Sequence, residues 1–284
     1  MTTLEQMGKR AKEASSALAV AGARKNTALY SIADALLAHR KDILEANAAD
    51  LENGRRAGLT ASLLDRLALS EGRIAGMAEG VRQVAALDDP IGEVLSGGLR
   101  PNGLEITKVR VPFGVIGIIY EARPNVTSDA AALCLKAGSA VILRGGKEAI
   151  RSNTAIAQIM RSAIRSAGLP EDSVQLVEDT SRESSLELMR MKEYLDVLIP
   201  RGGGNLIRAV VENSRVPVIE TGVGNCHVYA DEFADLDMAA DIIFNAKTSR
   251  PSVCNAIETV LVHEKIAERF LPVMKARLDE KKVE

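Results

Sequence analysis

The sequence contains no tryptophan, and its aromatic content is only 3%. Aromatic side chains supply the stacking platforms of single-stranded nucleic-acid binding proteins and the interfacial belts of membrane proteins. The chain also lacks an excess of either charge, with 36 lysine and arginine residues against 38 aspartate and glutamate residues and a net charge of −2. A balanced surface offers no general attraction to nucleic acid or to anionic lipid. Any anionic ligand must therefore be bound at a local site.

Cysteine is scarce as well, and Cys134, Cys226 and Cys254 show no CxxC spacing. Three unclustered cysteines predict neither a disulfide framework nor a zinc site, and they suit a reducing compartment. No apolar run approaches the length of a membrane span. Charges at Lys9 and Glu13 make the alanine-rich N-terminal stretch an amphipathic helix rather than a signal sequence. We therefore expect a cytoplasmic protein that binds no metal, no membrane and no nucleic acid.

The first part of the chain is predicted to be helical. With 284 residues, 46% of them hydrophobic, the chain is long enough for one large domain or two smaller ones. Apolar residues at three- and four-residue spacing predict helices from Leu4 to about Ala86. Glycine-rich punctuation and β-branched residues then predict a β-hairpin within residues 92–114, with its turn at Pro101–Gly103.

After Pro112, short apolar runs alternate with helical patterns. The runs that predict strands are Val115–Tyr120, Ala140–Leu143, Val174–Val177, Leu195–Ile199 and Val218–Ile219. Short buried strands separated by helices predict an α/β fold, with a parallel sheet and helices on both faces. We expect a nucleotide-binding domain over residues 1–240. A second α/β domain is expected to begin at residue 241, with a strand at Glu258–Val262.

Two glycine-rich turns each join a predicted strand to a predicted helix. They are Arg144–Lys147, with the sequence RGGK, and Pro200–Asn205, with the sequence PRGGGN. Neither a GxGxxG fingerprint nor a Walker A motif is present. Backbone N–H groups and cations in such turns can hold phosphate at the carboxyl edge of a sheet, and glycine permits close approach. The alternative is an ordinary connecting turn with exposed basic residues.

Cys254 lies in the segment NAKTSRPSVCNAIE. Pro251 favours the first turn of a helix and Ser249 can cap it, which predicts that Cys254 sits near a helix N-terminus. A helix dipole and positive charge from Lys247 and Arg250 would lower the pKa of the thiol and raise the thiolate fraction. The alternative is that a lone cysteine is a small buried hydrophobic residue.

Three blocks of sequence carry a resemblance to a known family. PSVCNAIE at Cys254, ETGVGNCHVY beginning at Glu220 and YEARPNVTSDAAALCLKAGSAVILRGGKEA beginning at Tyr120 resemble the gamma-glutamyl phosphate reductases of the aldehyde dehydrogenase superfamily. The resemblance runs from about Leu4 to the last residue. It implies an aldehyde dehydrogenase-like fold and a homo-oligomer that uses the hairpin near residues 92–114. A contact with glutamate 5-kinase is a further expectation.

The resemblance also implies a reaction, the NADPH-dependent reduction of L-glutamyl 5-phosphate to L-glutamate 5-semialdehyde in proline biosynthesis. Cys254 would attack the acyl carbon and expel phosphate, which leaves a thioester for reduction. The side-chain amide of Asn125 and the backbone N–H of Cys254 would stabilise the oxyanion. Glu220 matches the glutamate that activates water in hydrolytic members. In a reductase it would orient groups, relay protons or serve the structure.

The same resemblance assigns binding residues. The turn at 144–147 would meet the adenosine ribose of NADP, with cations suited to its 2′-phosphate. The turn at 202–203 corresponds to a loop near the nicotinamide, although the usual GSxxxG pattern is missing. The predicted cofactor-binding residues are Arg144, Gly145, Gly146, Lys147, Gly202 and Gly203, and the predicted substrate-binding residues are Arg123, Arg201 and Ser252.

Two alternative functions stay open at the level of sequence. One is another aldehyde or acyl-phosphate dehydrogenase of the same superfamily. The other follows from chain length, because members of the family continue beyond the point where this chain ends. Residues 241–284 would then be an incomplete catalytic domain, and the chain would be a non-catalytic fragment that retains cofactor binding or oligomer contacts.

Overall fold

A computed structural model describes residues 3–222, 224–251 and 253–283 of the chain. The chain divides into two compact units, Met1–Thr221 and Gly222–Glu284. None of the helices in the described part is long and apolar enough to cross a membrane.

The first unit begins with five helices, where the periodicity of the sequence predicts them. They are α1 (Leu4–Ala19), α2 (Arg24–Ala38), α3 (Arg40–Arg56), α4 (Ala61–Leu67) and α5 (Glu71–Ala86). Thr3 and Gln6 form a capping box that starts α1, with each side chain bound to the backbone N–H of the other residue. Leu29, Ile32 and Leu36 of α2 are fully buried, so the apolar stripe of this helix faces the core.

The hairpin predicted within residues 92–114 is present. Strand β1 (Val94–Leu99) pairs antiparallel with β2 (Glu105–Val109). Gly103 in the connecting turn has a φ of +83°, a conformation that favours glycine. Every residue of both strands is exposed. Because both strands are exposed, the hairpin lacks packing on either face within the unit, and a two-stranded sheet without such packing is only marginally stable in water.

A four-stranded parallel sheet forms the centre of the first unit. Its strands are β3 (Val115–Tyr120), β4 (Ala140–Arg144), β5 (Val174–Leu176) and β6 (Val197–Arg201), in the order β5-β4-β3-β6. The helices that follow these strands are α6 (Asn125–Lys136), α7 (Ile150–Ser166), α8 (Arg182–Arg190) and α9 (Gly204–Asn213). The predicted strand at 218–219 is reduced to a single bridge between Val218 and Leu198.

Helices cover the sheet as the sequence predicts. Helices α6 and α7 pack against β3, β4 and β5, and α2, α3 and α5 form an outer layer on them. On the other side, α1 contacts the same strands and α8. The chain runs from β3 through β4 to β5 and then crosses back to place β6 on the other side of β3, so the strand order switches between β3 and β6. The carboxyl ends of these strands therefore border a crevice of the kind that binds nucleotides.

The second unit is smaller. It contains β7 (Cys226–Ala230), α10 (Leu236–Thr248), β8 (Ile257–Val262) and α11 (Glu264–Asp279). Strand β7 pairs parallel with β8, and α10 crosses between them. The sequence places the domain boundary after residue 240, whereas the compact units separate after Thr221. The difference arises because β7 and the start of α10 share a core with β8, in which Phe270 is fully buried.

Candidate functional site

A cleft of about 690 Å³ lies at the carboxyl edge of the parallel sheet in the first unit. Tyr120 and Arg144 line it at the ends of β3 and β4, and α4, α8 and α9 supply its side walls. Of the residues predicted to bind cofactor or substrate, Arg144, Gly146 and Arg123 line this cleft. The cleft therefore brings together the two ends of the block that begins at Tyr120, YEARPNV and RGGK.

The lining of the cleft combines positive charge with apolar surface. Leu186 of α8 and Leu206 of α9 contribute apolar side chains from two neighbouring helices. The charged residues of the lining are Arg66, Arg123, Arg144 and Arg182 against Glu121 and Glu148. This local excess of positive charge contrasts with the balanced composition of the whole chain. Apolar walls with a cationic rim suit a phosphorylated nucleotide.

Arg144 is anchored to the backbone in this structure. Its guanidinium donates to the carbonyl oxygens of Thr180 at 2.8 Å, Ser181 at 2.9 Å and Gly145 at 3.1 Å. Burial lowers the pKa of Arg144, while the carboxylates of Asp179 and Glu148 act in the opposite direction. Arg144 therefore ties the end of β4 to the start of α8. A direct contact of this residue with phosphate stays a prediction.

The turn that follows β4 can be built only with glycine at its first position. A Cβ atom on Gly145 would overlap Asn153 Nδ2 and would lie 3.0 Å from Tyr120 Cζ. A Cβ atom on Gly146 would lie 3.2 Å from the backbone nitrogen of Ala122. Lys147 lies next in a short 3₁₀ turn and is exposed outside the cleft lining.

A buried hydrogen-bond network packs against this turn at Gly145. Tyr120 Oη lies 2.7 Å from Thr127 Oγ1, which donates to Asn153 Oδ1 at 3.0 Å. Burial raises the pKa of the Tyr120 hydroxyl, so it stays protonated and can donate to Thr127. Sequence reasoning missed this network. The only local signal was a run of polar residues on the buried faces of α6 and α7.

Glu121 is a second residue that sequence reasoning missed. Its Oε1 accepts a hydrogen bond from the backbone N–H of Gly203 at 3.1 Å, at the N-terminus of α9. A Cβ atom on Gly202 would lie 2.7 Å from Glu121 Cδ, so glycine makes room for this side chain. A carboxylate at a helix N-terminus is favourable. Gly202, Gly203 and the exposed Arg201 do not form part of the described cleft lining.

Asn125, the predicted oxyanion donor, begins α6. Its Nδ2 donates to Asp129 Oδ2 at 2.9 Å, so in this structure the amide is paired within its own helix. Glu220 is exposed, one residue past the end of the bridge segment at Ile219. The chemical roles of both residues stay predictions.

Cys254 is exposed and lies in a turn rather than at a helix N-terminus. The predicted helix beginning near Pro251 is not formed, because α10 ends at Thr248 with Ser249 as its C-cap and β8 begins at Ile257. The described residues of this segment form separate turns instead, in which the N–H of Val253 donates to the carbonyl oxygen of Arg250 at 3.3 Å and the N–H of Ala256 to that of Val253 at 3.2 Å. The helix dipole invoked for Cys254 is therefore not supplied by this segment.

The surroundings of Cys254 within the second unit are polar. The Cys226 thiol donates to the carbonyl oxygen of Cys254, with Sγ and oxygen 3.4 Å apart, and Lys247 Nζ donates to the carbonyl oxygen of Ile257 at 3.0 Å. Cys254 is therefore not the buried hydrophobic residue of the alternative interpretation. Cys134 is the buried cysteine, and burial raises the pKa of its thiol to about 12. Ser252, predicted to bind substrate, lies outside the described residues. Across the described part of the chain, no group of histidine, cysteine and acidic residues is arranged to hold a metal ion.

Comparisons with known proteins point to one family. Residues 2–284 match the model of the aldehyde dehydrogenase family. The chain is 60% identical to gamma-glutamyl phosphate reductases of Clostridium novyi over 260 residues and of Moorella thermoacetica over 281 residues. These alignments cover 92% and 99% of this chain. They cover 62% and 67% of the two relatives, so the chain spans about two thirds of their length.

Solved structures give the same result. The crystal structure of gamma-glutamyl phosphate reductase from Thermotoga maritima matches with a TM-score of 0.91 at 49% identity, over 100% of this chain and 69% of that chain. The enzyme of the same name from Saccharomyces cerevisiae matches with a TM-score of 0.72 at 36% identity, over 100% of this chain and 71% of that chain.

Proposed function

Since this chain belongs to the aldehyde dehydrogenase family, among the gamma-glutamyl phosphate reductases, we propose that it reduces L-glutamyl 5-phosphate to L-glutamate 5-semialdehyde with NADPH and releases phosphate. This reaction serves proline biosynthesis from glutamate. The observation that carries the proposal is the 60% identity to a named reductase over 281 residues.

The cleft in the first unit fits the proposed cofactor. Gly146 contributes backbone without a side chain to the lining, and the lining holds four arginines against two glutamates. The apolar side chains of Leu186 and Leu206 suit the faces of an adenine ring. When bound, NADPH supplies the hydride that brings the acyl group to the level of the aldehyde. The protein contributes position and local charge.

Cys254 is proposed as the nucleophile. Its thiolate attacks the acyl carbon of glutamyl phosphate, a carbon–sulfur bond forms, and the carbon–oxygen bond to phosphate breaks as phosphate leaves. The exposure of Cys254 supports this role, because the sulfur can meet a substrate without unfolding. Asn125 is proposed to donate its amide to the carbonyl oxygen, for which Nδ2 must turn away from Asp129.

The remaining proposals concern the substrate and partners. Arg123 and Arg201 are proposed to bind the anionic groups of the substrate, and Glu220 to orient groups or relay protons. We also propose a cytoplasmic homo-oligomer that pairs through the β1–β2 hairpin, where Val94 and Leu99 are 62% and 75% exposed. A contact with glutamate 5-kinase, as the source of the acyl phosphate, belongs to the same proposal.

The test uses the chain of residues 1–284 and the reverse reaction, in which L-glutamate 5-semialdehyde and phosphate reduce NADP. We expect turnover by the unchanged chain and none by Cys254→Ser, because an alcohol is a far weaker nucleophile than a thiolate. Cys226→Ser is the matched control, since serine can donate the same hydrogen bond. Equal rates for Cys254→Ser and the unchanged chain would refute the nucleophile.

Two outcomes would favour the alternative functions. Cofactor binding without turnover by the unchanged chain would support a fragment that binds cofactor only. Faster turnover with another aldehyde, in direct competition with glutamate semialdehyde, would indicate a different acyl specificity within the superfamily.

A further inference from the structure

We propose that Arg182 recognises the 2′-phosphate of NADPH and thereby sets the preference for NADPH over NADH. This inference rests on the proposed function, and it names the residue that selects the cofactor. Arg182 is the first residue of α8 and lines the 690 Å³ cleft together with Arg144, Gly146 and Leu186. It was not among the residues that the sequence singled out.

The other cations near the cleft are less suited to this task. Arg144 uses Nη1 and Nη2 to bind three backbone carbonyl oxygens, and its Nε is buried and so not accessible to a ligand in the cleft. Arg66 and Arg123 each have an interaction partner within the protein. Lys147 is exposed but lies outside the cleft lining. Arg182, in contrast, is exposed, and its side chain makes no hydrogen bond or ion pair with any residue that the structure describes.

The backbone that carries Arg182 is held firmly. Arg144 donates to the carbonyl oxygens of Thr180 and Ser181, directly before Arg182. The Ser181 hydroxyl caps α8 by accepting from the N–H of Ser184 at 3.1 Å, and Asp179 accepts from the N–H of Ser181 at 2.8 Å. The Cα atom of Arg182 therefore has a fixed place at the cleft, while its guanidinium is available to a ligand. Such pre-organisation reduces the entropy lost on binding.

The chemistry of the cleft favours a phosphate at this position. A guanidinium offers planar, paired N–H donors that match phosphate oxygens. Glu121 and Glu148 also line the cleft and would repel a phosphate beside them. Glu121 directly follows β3, and its Oε1 accepts a hydrogen bond from the N–H of Gly203. Arg182 and Leu186 both belong to α8 and line the cleft. One helix can therefore contact the adenosine through Leu186 and the 2′-phosphate through Arg182.

The experiment compares two probes that differ only in the 2′-phosphate, namely adenosine 2′,5′-bisphosphate (2′,5′-ADP) and adenosine 5′-monophosphate (5′-AMP). Their dissociation constants are measured by calorimetry with the 284-residue chain at fixed ionic strength. We expect Arg182→Ala to weaken binding of 2′,5′-ADP about tenfold to a hundredfold, the range of a hydrogen bond to a charged group. Binding of 5′-AMP should be unchanged. Arg182→Lys should retain part of the preference, since it keeps the charge and loses the paired donors.

Two further variants complete the design. Arg190→Ala removes an exposed arginine at the other end of α8 and should leave the preference intact. Lys147→Ala tests the cation predicted from the sequence. A loss of preference in Lys147→Ala, with Arg182→Ala unaffected, would overturn the assignment, and so would an equal weakening of both probes by Arg182→Ala. If the unchanged chain showed no preference for 2′,5′-ADP, the NADP part of the proposed function would fall together with this inference.

Discussion

The substitution Gly145→Ala should destabilise the first unit, although alanine usually stabilises a folded chain relative to glycine. The added Cβ atom would overlap Asn153 Nδ2 and approach Tyr120 Cζ to 3.0 Å. Both neighbours are buried, at 0% and 1% exposure, and both belong to the hydrogen-bond network through Thr127. They therefore cannot move aside without weakening those hydrogen bonds.

The expected cost follows from these contacts. Overpacking in a core costs about 1–3 kcal/mol, and each hydrogen bond weakened adds about 0.5–1.5 kcal/mol. Alanine also lowers the conformational entropy of the unfolded chain relative to glycine, which offsets about 0.4–1 kcal/mol of this destabilisation. We expect the free energy of unfolding to fall by about 2 kcal/mol. If the free energy of unfolding falls by about 2 kcal/mol per molar urea, the midpoint of urea unfolding, Cm, falls by about 1 M.

The assay is urea unfolding followed by far-UV circular dichroism. Gly76→Ala is the matched control, because Gly76 lies in the exposed face of α5 with nothing within 4 Å of an added Cβ atom. It should raise stability by about 0.5–1 kcal/mol. In an Asn153→Ala background the cost of Gly145→Ala should shrink, because part of the overlap is gone. A Cm for Gly145→Ala at or above that of the unchanged chain would refute the reasoning.

Two further predictions concern single side chains. In the folded chain iodoacetamide should modify exposed Cys254 and spare Cys134, whose buried thiol has its pKa raised to about 12; equal modification of both, read by mass spectrometry, would contradict the structure. Burial alone would raise the pKa of Asp89, but hydrogen bonds from buried Lys25 and from a backbone N–H outweigh it, so the pKa lies below its usual value. Asp89 therefore stabilises the fold above the unfolded pKa of about 3.9, and this contribution is lost as the pH falls through the lower folded value. Asp89→Asn should make the urea midpoint Cm fall less steeply as the pH is lowered. An equally steep fall of Cm in the variant and in the unchanged chain would count against this.

Local patterns in the sequence predicted most of the elements. The run Val115–Tyr120 coincides with β3, and Pro101–Gly103 forms the turn of the hairpin. These patterns succeed because strands and turns of this kind depend on neighbouring residues. The prediction of a helix at Pro251 was wrong for the opposite reason. Ser249 and Pro251 are good local start signals for a helix, but Ser249 is instead the C-cap of α10, and β8, which pairs with β7, already begins at Ile257.

The sequence by itself determined the α/β class, the family and the identity of Cys254 as the reactive candidate, because periodicity and motifs are written in adjacent residues. Only the tertiary structure decided which cations face the cleft. It paired Arg144 with carbonyl groups 36 and 37 residues further along the chain, and it brought Glu121 to the N-terminus of α9. Such contacts join residues that the folding of a sheet brings together, and no pattern of neighbouring residues encodes them.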